Sequence, residues 1–284
     1  VGLQPFSAFF TRGHATAYPI HIPEDFTLTP AQESRLNQYL EKRLQGNFSM
    51  AGIRFWPEMR SLEPELLQRI STYKQVVPVF TNVIFDTSQI HANVMFENMF
   101  AWLDQVLEII RAHPETFFII RAHPDEDRPG KQSRESVADW VERNQVERLS
   151  NALFVAPREY FSSYEFIQRS KFVMVYNSTI GLEAAIMGAA VLCGGKARFT
   201  QIPTVFLPDS SAAHRSKAEE LLSADKIAIP PEFQRNARNF LYYQLFKTSL
   251  PFDDLLTRDI TPGFVRFRKG VTWQDFTPQR SASI

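Results

Sequence analysis

Asn177, Ser178 and Thr179 form an unbroken run of polar side chains between an apolar segment and a stretch of helix-forming residues. Hydroxyls at a strand-to-helix turn can cap the helix, and free backbone N–H groups at the positive end of the helix dipole bind phosphate. Residues 172–176 have the uninterrupted apolar character of a buried parallel strand. In the helical stretch 181–187, Ala184 and Ala185 are small enough to let a helix lie close on a sheet. Gly188 stops that helix, 190–193 reads as the next strand, and Gly194 and Gly195 let backbone approach a ligand. The span 171–195 thus reads as a phosphate-binding βαβ unit. The bland alternative is an ordinary crossover that holds nothing.

Loops that follow the carboxyl ends of parallel strands converge on one edge of the sheet, so distant residues can share a site there. The candidate loops are 81–88, 121–126, 157–164 and 177–179. His123 could donate to a phosphate oxygen, and Tyr160 or Tyr164 could flank a base. Ser162, with Ser163 beside it, could bond the base edge, and Glu183 could accept from ribose hydroxyls. Each has a plainer reading: a histidine before Pro124 as a loop residue, the tyrosines as packing, Glu183 as a solvated helix position. Asp125, Glu126 and Asp127 make the densest acidic run, read as a solvated loop rather than a metal site.

The elements that would hold these residues alternate along the chain. Strands are expected at 75–84, 117–121, 153–156, 172–176 and 190–193, with 203–207 as a last one. Helices are expected at 93–112, 133–144, 162–169 and 217–222, and 93–112 carries an apolar stripe suited to covering a sheet. The fold class is therefore α/β, a doubly wound, Rossmann-like parallel sheet over 74–223. Flanking it are an arm with helices, 1–73, and a helical and irregular segment, 224–284, whose tail past Pro262 has no period. Thr29, Pro30 and Gln32 mark a helix start, Gly46 its end, and further helices are expected at 62–73 and 231–246.

Bulk composition narrows the partners. The 284 residues carry 31 basic and 31 acidic side chains, so no global field draws nucleic acid, and a phosphate must be held locally. The single cysteine, Cys193, excludes an internal disulfide and a four-thiolate zinc site and suits a reducing, cytoplasmic setting. No apolar run is long enough for a transmembrane segment.

The run FTNVIFD beginning at Phe80, the helix around Ala101-Trp102-Leu103, IIRAHPDE ending at Glu126, and NSTIGLEAAIMGAAVLCGG from Asn177 together resemble the carboxyl-terminal half of GT-B glycosyltransferases that build bacterial capsules. The likeness is to Kdo-transferase-like capsule synthesis proteins and, more distantly, to bacterial sialyltransferases with an HP motif and a Ser-rich motif. It implies a GT-B carboxyl-terminal-domain fold and a nucleotide sugar as donor substrate, with no cofactor and no metal. By that resemblance His123, Pro124, Ser178 and Thr179 hold the donor's nucleotide and phosphate, and Glu183 stands where a carboxylate meets the ribose. A glycan or lipid-linked acceptor and peripheral association with the inner face of the membrane are also implied.

The departure from the pattern is the amino-terminal side. Residues 1–73 are too few and too helical for the acceptor domain, so the chain is expected to be truncated or to have that domain reduced to an arm. Within the irregular arm, residues 1–25, His14, His21, Glu24 and Asp25 are the only obvious base candidates, and the catalytic residue is left unassigned. A sugar-nucleotide epimerase of the same architecture and a non-catalytic nucleotide- or protein-binding module stay open. A Ser178–His123 hydrolase is weaker, since the turn lacks a G-x-S-x-G elbow.

Overall fold

The computed structural model describes residues 7–9, 20–45, 59–84, 92–127, 135–251, 254–260 and 265–281. His14, Gly46 and residues 85–88 of the first candidate loop lie outside them. The chain divides into two units, Val1–Pro57 with Arg238–Ile284, and Glu58–Ala237.

In the first unit a short strand, β1 (Ser7–Phe9), precedes the helix α1 (Pro30–Leu44). That helix starts where local chemistry dictates: Gln32 N donates to Thr29 Oγ1 at 3.4 Å, and Thr29 N donates to Gln32 Oε1 at 2.9 Å, with Pro30 in the first turn. His21, Glu24 and Asp25 are exposed.

The second unit runs through α2 (Pro64–Ser71), β2 (Gln75–Phe80), α3 (Met99–Ala112), β3 (Thr116–Arg121) and α4 (Val137–Arg143). It continues with β4 (Ala152–Val155), α5 (Ser163–Gln168), β5 (Val173–Val175), α6 (Ile180–Ile186), β6 (Val191–Cys193) and α7 (Ser211–Ser223). The last helix, α8 (Pro231–Phe246), begins here and ends in the first unit. There its final turns bind α1: Arg238 bonds Glu33 and, at 2.6 Å, Asn37, while Arg35 lies 4.1 Å over the Phe246 ring. β7 (Ser249–Pro251) pairs antiparallel with β1, and β8 (Leu256–Arg258) with β9 (Val265–Phe267), so the tail past Pro262, read as aperiodic, contributes one paired strand.

Five parallel strands of the second unit form one sheet in the order β4-β3-β2-β5-β6. Successive side chains of a strand point to opposite faces. Val77, Val79, Phe118, Ile120, Met174 and Leu192 join α3, α4 and α7 in one buried cluster. On the other face Phe117 meets Tyr73 and Arg69 beside α2, and Val175 meets α6 at Gly181. The doubly wound α/β expectation therefore holds.

Several boundaries moved for identifiable reasons. The strand expected over 75–84 ends at Phe80. The helix expected from 93 begins at Met99, because Asn98 takes the cap position and its side chain accepts from Ala101 N at 3.0 Å. Likewise the helix expected from 133 begins at Val137, behind a reciprocal Ser136–Asp139 capping box. Residues 203–207 supply only a one-residue bridge, Phe206 to Leu192, and the helix expected at 217–222 is longer at both ends.

Trp102 is fully buried at the centre of the first face, where its Nε1 donates to His214 Nε2 at 3.3 Å. His214 Nδ1 in turn donates to Gln105 Oε1 at 2.9 Å, and burial pushes the ring's pKa down to about 4, so it packs as the neutral Nδ1–H form. Gly194 is required by this packing, since a Cβ there would stand 2.5 Å from Trp102 Nε1. Gly194→Ala should therefore cost about 1–3 kcal/mol in denaturant unfolding, and Trp102→Phe in the same background should return part of that loss. An unaltered unfolding midpoint for Gly194→Ala would show that the indole is not fixed.

Candidate functional site

The strand order reverses between β2 and β5, from which the chain leaves to opposite faces, into α3 and into α6. Such a switch point opens a crevice outside the carboxyl ends of the two strands, the usual ligand position in open α/β sheets. Residues 81–84 and 176–179 form its two lips. They are tied together: Asn177 N donates to Asn82 Oδ1 at 3.2 Å, and both residues are buried. Asn82 N is itself 3.2 Å from Met99 Sδ, which fixes the first lip to α3. The second lip is bound to the loop after β6, with Gly195 N donating to Tyr176 O at 2.8 Å and Asn177 Nδ2 to Lys196 O at 3.4 Å. With these groups engaged, Asn177 Oδ1 is left buried without a hydrogen-bond partner among the described residues.

Ser178 is buried and Thr179 exposed at the start of α6. Thr179 occupies the cap position but already has helical angles (φ −63°, ψ −16°), and its side chain makes no cap bond. The hydroxyl caps expected at this turn are therefore absent. Glu183 departs from its plainer reading: it is 4% exposed, not a solvated position, and accepts from Tyr164 OH at 2.7 Å. That bond joins α6 to α5 and gives the buried Tyr164 phenol a structural partner.

His123 and Pro124 are half-buried on the loop after β3. His123 Nδ1 accepts from Asp125 N at 3.1 Å, which places the proton of the neutral ring on Nε2. On the loop after β4, Tyr160 is half-buried and Tyr160 O accepts from Arg60 N at 2.8 Å. Ser162 Oγ accepts from Glu165 N at 3.3 Å as the cap of α5, and Ser163 is the half-buried first residue of that helix. The sheet thus brings Asn177, Ser178, Thr179 and Glu183 to the switch point, His123 and Pro124 to the end of the strand beside it, and Tyr160, Ser162 and Ser163 to the outer edge.

The acidic run is not the solvated loop expected. Asp127 lies 3.6 Å from Arg158, but Glu126 is 4% exposed, with Oε1 accepting from Val137 N at 2.5 Å and Oε2 unpartnered among the described residues. Burial raises its pKa to about 7. Among the described residues no group of three or more His, Cys, Asp or Glu is placed to hold a metal ion. Sequence reasoning gave Asn82 no role of its own, although it stands in the candidate loop 81–88 and in the FTNVIFD run.

A profile of the capsule polysaccharide biosynthesis protein family matches residues 55–224, more than half of the chain and every strand of the parallel sheet. The chain belongs to this family. A comparison with curated proteins finds no match. Among solved structures it is similar to the β-Kdo 2,7-transferase KpsC of Thermosulfurimonas dismutans, at 13% identity and TM-score 0.43, over 84% of this chain and 60% of that one. It is also similar to S. aureus MnaA in its UDP co-structure (11% identity, TM-score 0.41, 63% of this chain and 43% of that one). A third is the UDP-GlcNAc 2-epimerase of Neisseria meningitidis bound to UDP-GlcNAc (14% identity, TM-score 0.36, 77% and 48%). The chain therefore spans less than two thirds of these structures. At such scores the likenesses carry no weight for chemistry.

Glu126 gives the His123–Pro124 loop a pH signature. A carboxyl whose folded pKa is raised, from 4.5 to about 7, favours folding below pH 4.5, and that contribution is lost as pH rises toward 7. Glu126→Gln should match the wild type near pH 4.5 and be more stable at pH 8, by up to about 3 kcal/mol. Parallel unfolding curves for the two proteins across that range would rule out a buried, raised carboxyl.

Proposed function

We propose that the chain is a glycosyltransferase of capsular polysaccharide synthesis, or the donor-binding half of one, and that its α/β unit holds a nucleotide sugar at the switch point. The observation that carries this reading is the tie between Asn82 and Asn177, which leaves Asn177 Oδ1 as a buried acceptor with no donor among the described residues. A ribose hydroxyl or an amide N–H of a base would complete it. Ser178, Thr179 and the positive end of α6 face the donor's phosphate, and His123 donates to it from Nε2. Tyr160 serves as the base platform, with Ser162 and Ser163 behind it, and Glu183, held by Tyr164, orients the ribose side.

Departure of a nucleotide places negative charge on phosphate oxygens, and donors fixed before the reaction stabilise that charge without reorganising. The acceptor is a glycan or a lipid-linked sugar, taken up at the cytoplasmic face of the membrane. No described helix is long and apolar enough to cross that membrane.

Thermal-shift measurements over CMP-, UDP-, GDP- and CDP-linked sugars should pick out one nucleotide. Calorimetry with that nucleotide should then show Ser178→Ala with His123→Ala weakened at least about tenfold. Full affinity in the double variant would sink the site, and turnover of the sugar nucleotide without any acceptor would mark an epimerase instead.

A further inference from the structure

Arg121 ends β3 immediately before the His123 loop and is 2% exposed. Its Nη1 donates to Ala156 O and lies 3.5 Å from Val155 O, which clamps the plane of the guanidinium against the end of β4. Nε and Nη2 are buried and have no hydrogen-bond partner among the described residues. Those two nitrogens are not scattered donors. They share the side-on edge of the guanidinium, where two parallel N–H groups match two oxygens on one phosphorus or one carbon.

The charge around this edge is also incomplete. Glu159 and Tyr160 favour the cation, but Glu159 Oε2 is engaged by Ala156 N at 2.6 Å, and none of the ion pairs among the described residues includes Arg121. Burial lowers the guanidinium pKa to about 10, which still leaves it charged at neutral pH. A charge buried without a full set of partners destabilises a fold, and an apolar side chain of similar length would serve the core better. A purely structural role therefore accounts for Nη1 and not for the open edge. His123, Pro124, Asp125, Ala156, Glu159 and Tyr160 are all half-buried, so solvent reaches the loops on both sides of the buried group.

We propose that Arg121 is the seat of a ligand oxyanion, a phosphate or a carboxylate gripped by two oxygens on the Nε–Nη2 edge. The proposal deepens the nucleotide-sugar reading and rests on it for the identity of the ligand. In that setting the oxyanion is either the donor's phosphate or the carboxylate of an acidic sugar, and Arg121 adds a fixed positive charge one strand away from the switch point.

The test uses Arg121→Met, which removes the charge at similar length, and Arg121→Lys, which keeps the charge and loses the edge. Unfolding is measured without ligand, and affinities for CMP, UDP and glucuronate by calorimetry. Unliganded Arg121→Met should unfold at the same or a higher temperature than the wild type. Its affinity should nonetheless fall at least about 30-fold, and that of Arg121→Lys at least about tenfold. Loss confined to CMP and UDP assigns a phosphate, and loss confined to glucuronate a carboxylate. Undiminished affinity in Arg121→Met overturns the assignment while leaving the nucleotide-sugar reading in place. Earlier unfolding of unliganded Arg121→Met makes the residue a structural clamp and also overturns it. If the wild type binds none of the three probes and neither GDP nor CDP, the nucleotide-sugar reading fails, and the oxyanion seat falls with it unless inorganic phosphate binds in an Arg121-dependent way.

Discussion

The reversal of strand order between β2 and β5 is the constraint on which the rest of the α/β unit depends. Two parallel strands that sit side by side but send their chains to opposite faces leave backbone at their carboxyl ends that no helix covers. Buried N–H groups there need partners. Asn82 supplies one, its side chain accepting from Asn177 N across the gap, and the loop after β6 closes on the same lip through Gly195 and Lys196. The crevice is consequently walled by fixed backbone. It keeps one acceptor, Asn177 Oδ1, with no partner of its own among the described residues.

Buried polar groups elsewhere in the same unit show how complete the pairing usually is. Asn151 Nδ2 alone reaches the carbonyls of Ile110, His113 and Thr116, tying the end of α3 to the start of β3. His214 uses both ring nitrogens, and Glu183 takes the Tyr164 hydroxyl. These bonds lie at the amino-terminal edge of the sheet or within its helical layers. Arg121, Glu126 and Asn177, which keep open atoms, all follow or end a strand at the carboxyl edge. Incomplete pairing at one edge of this unit, among its described residues, is the pattern expected where stability has been yielded to a ligand.

What could be read from the sequence follows the range of the interaction. The α/β class was legible because apolar runs and helical stripes recur within short windows, and α1 was legible to the residue because Thr29 and Gln32 cap it locally. The turn at Asn177 was visible for the same reason, as one polar run between two apolar ones. Helix starts at Asn98 and Ser136 were missed because apolar or polar neighbours upstream extended the apparent pattern past the true cap. Hidden altogether were pairings between distant positions: Asn82 with Asn177, Trp102 with His214, and Tyr164 with Glu183. No periodicity encodes them, so Glu183 looked like a solvated helix residue although it is nearly inaccessible.

The even charge balance sets the physics of any phosphate bound here. With 31 basic and 31 acidic residues the chain exerts little long-range pull, and affinity must come from groups at contact distance. Exposed charges would lose much of their hold at physiological salt, where screening acts over about 8 Å. Buried donors escape that loss, because no mobile ions reach them. At the proposed site, a phosphate among strand ends, a short helix and the buried Arg121 guanidinium would be held through desolvation and geometry rather than through field. Under the proposed reading, selectivity follows from which ligand can reach the atoms of Asn177 and Arg121 that are unpartnered among the described residues.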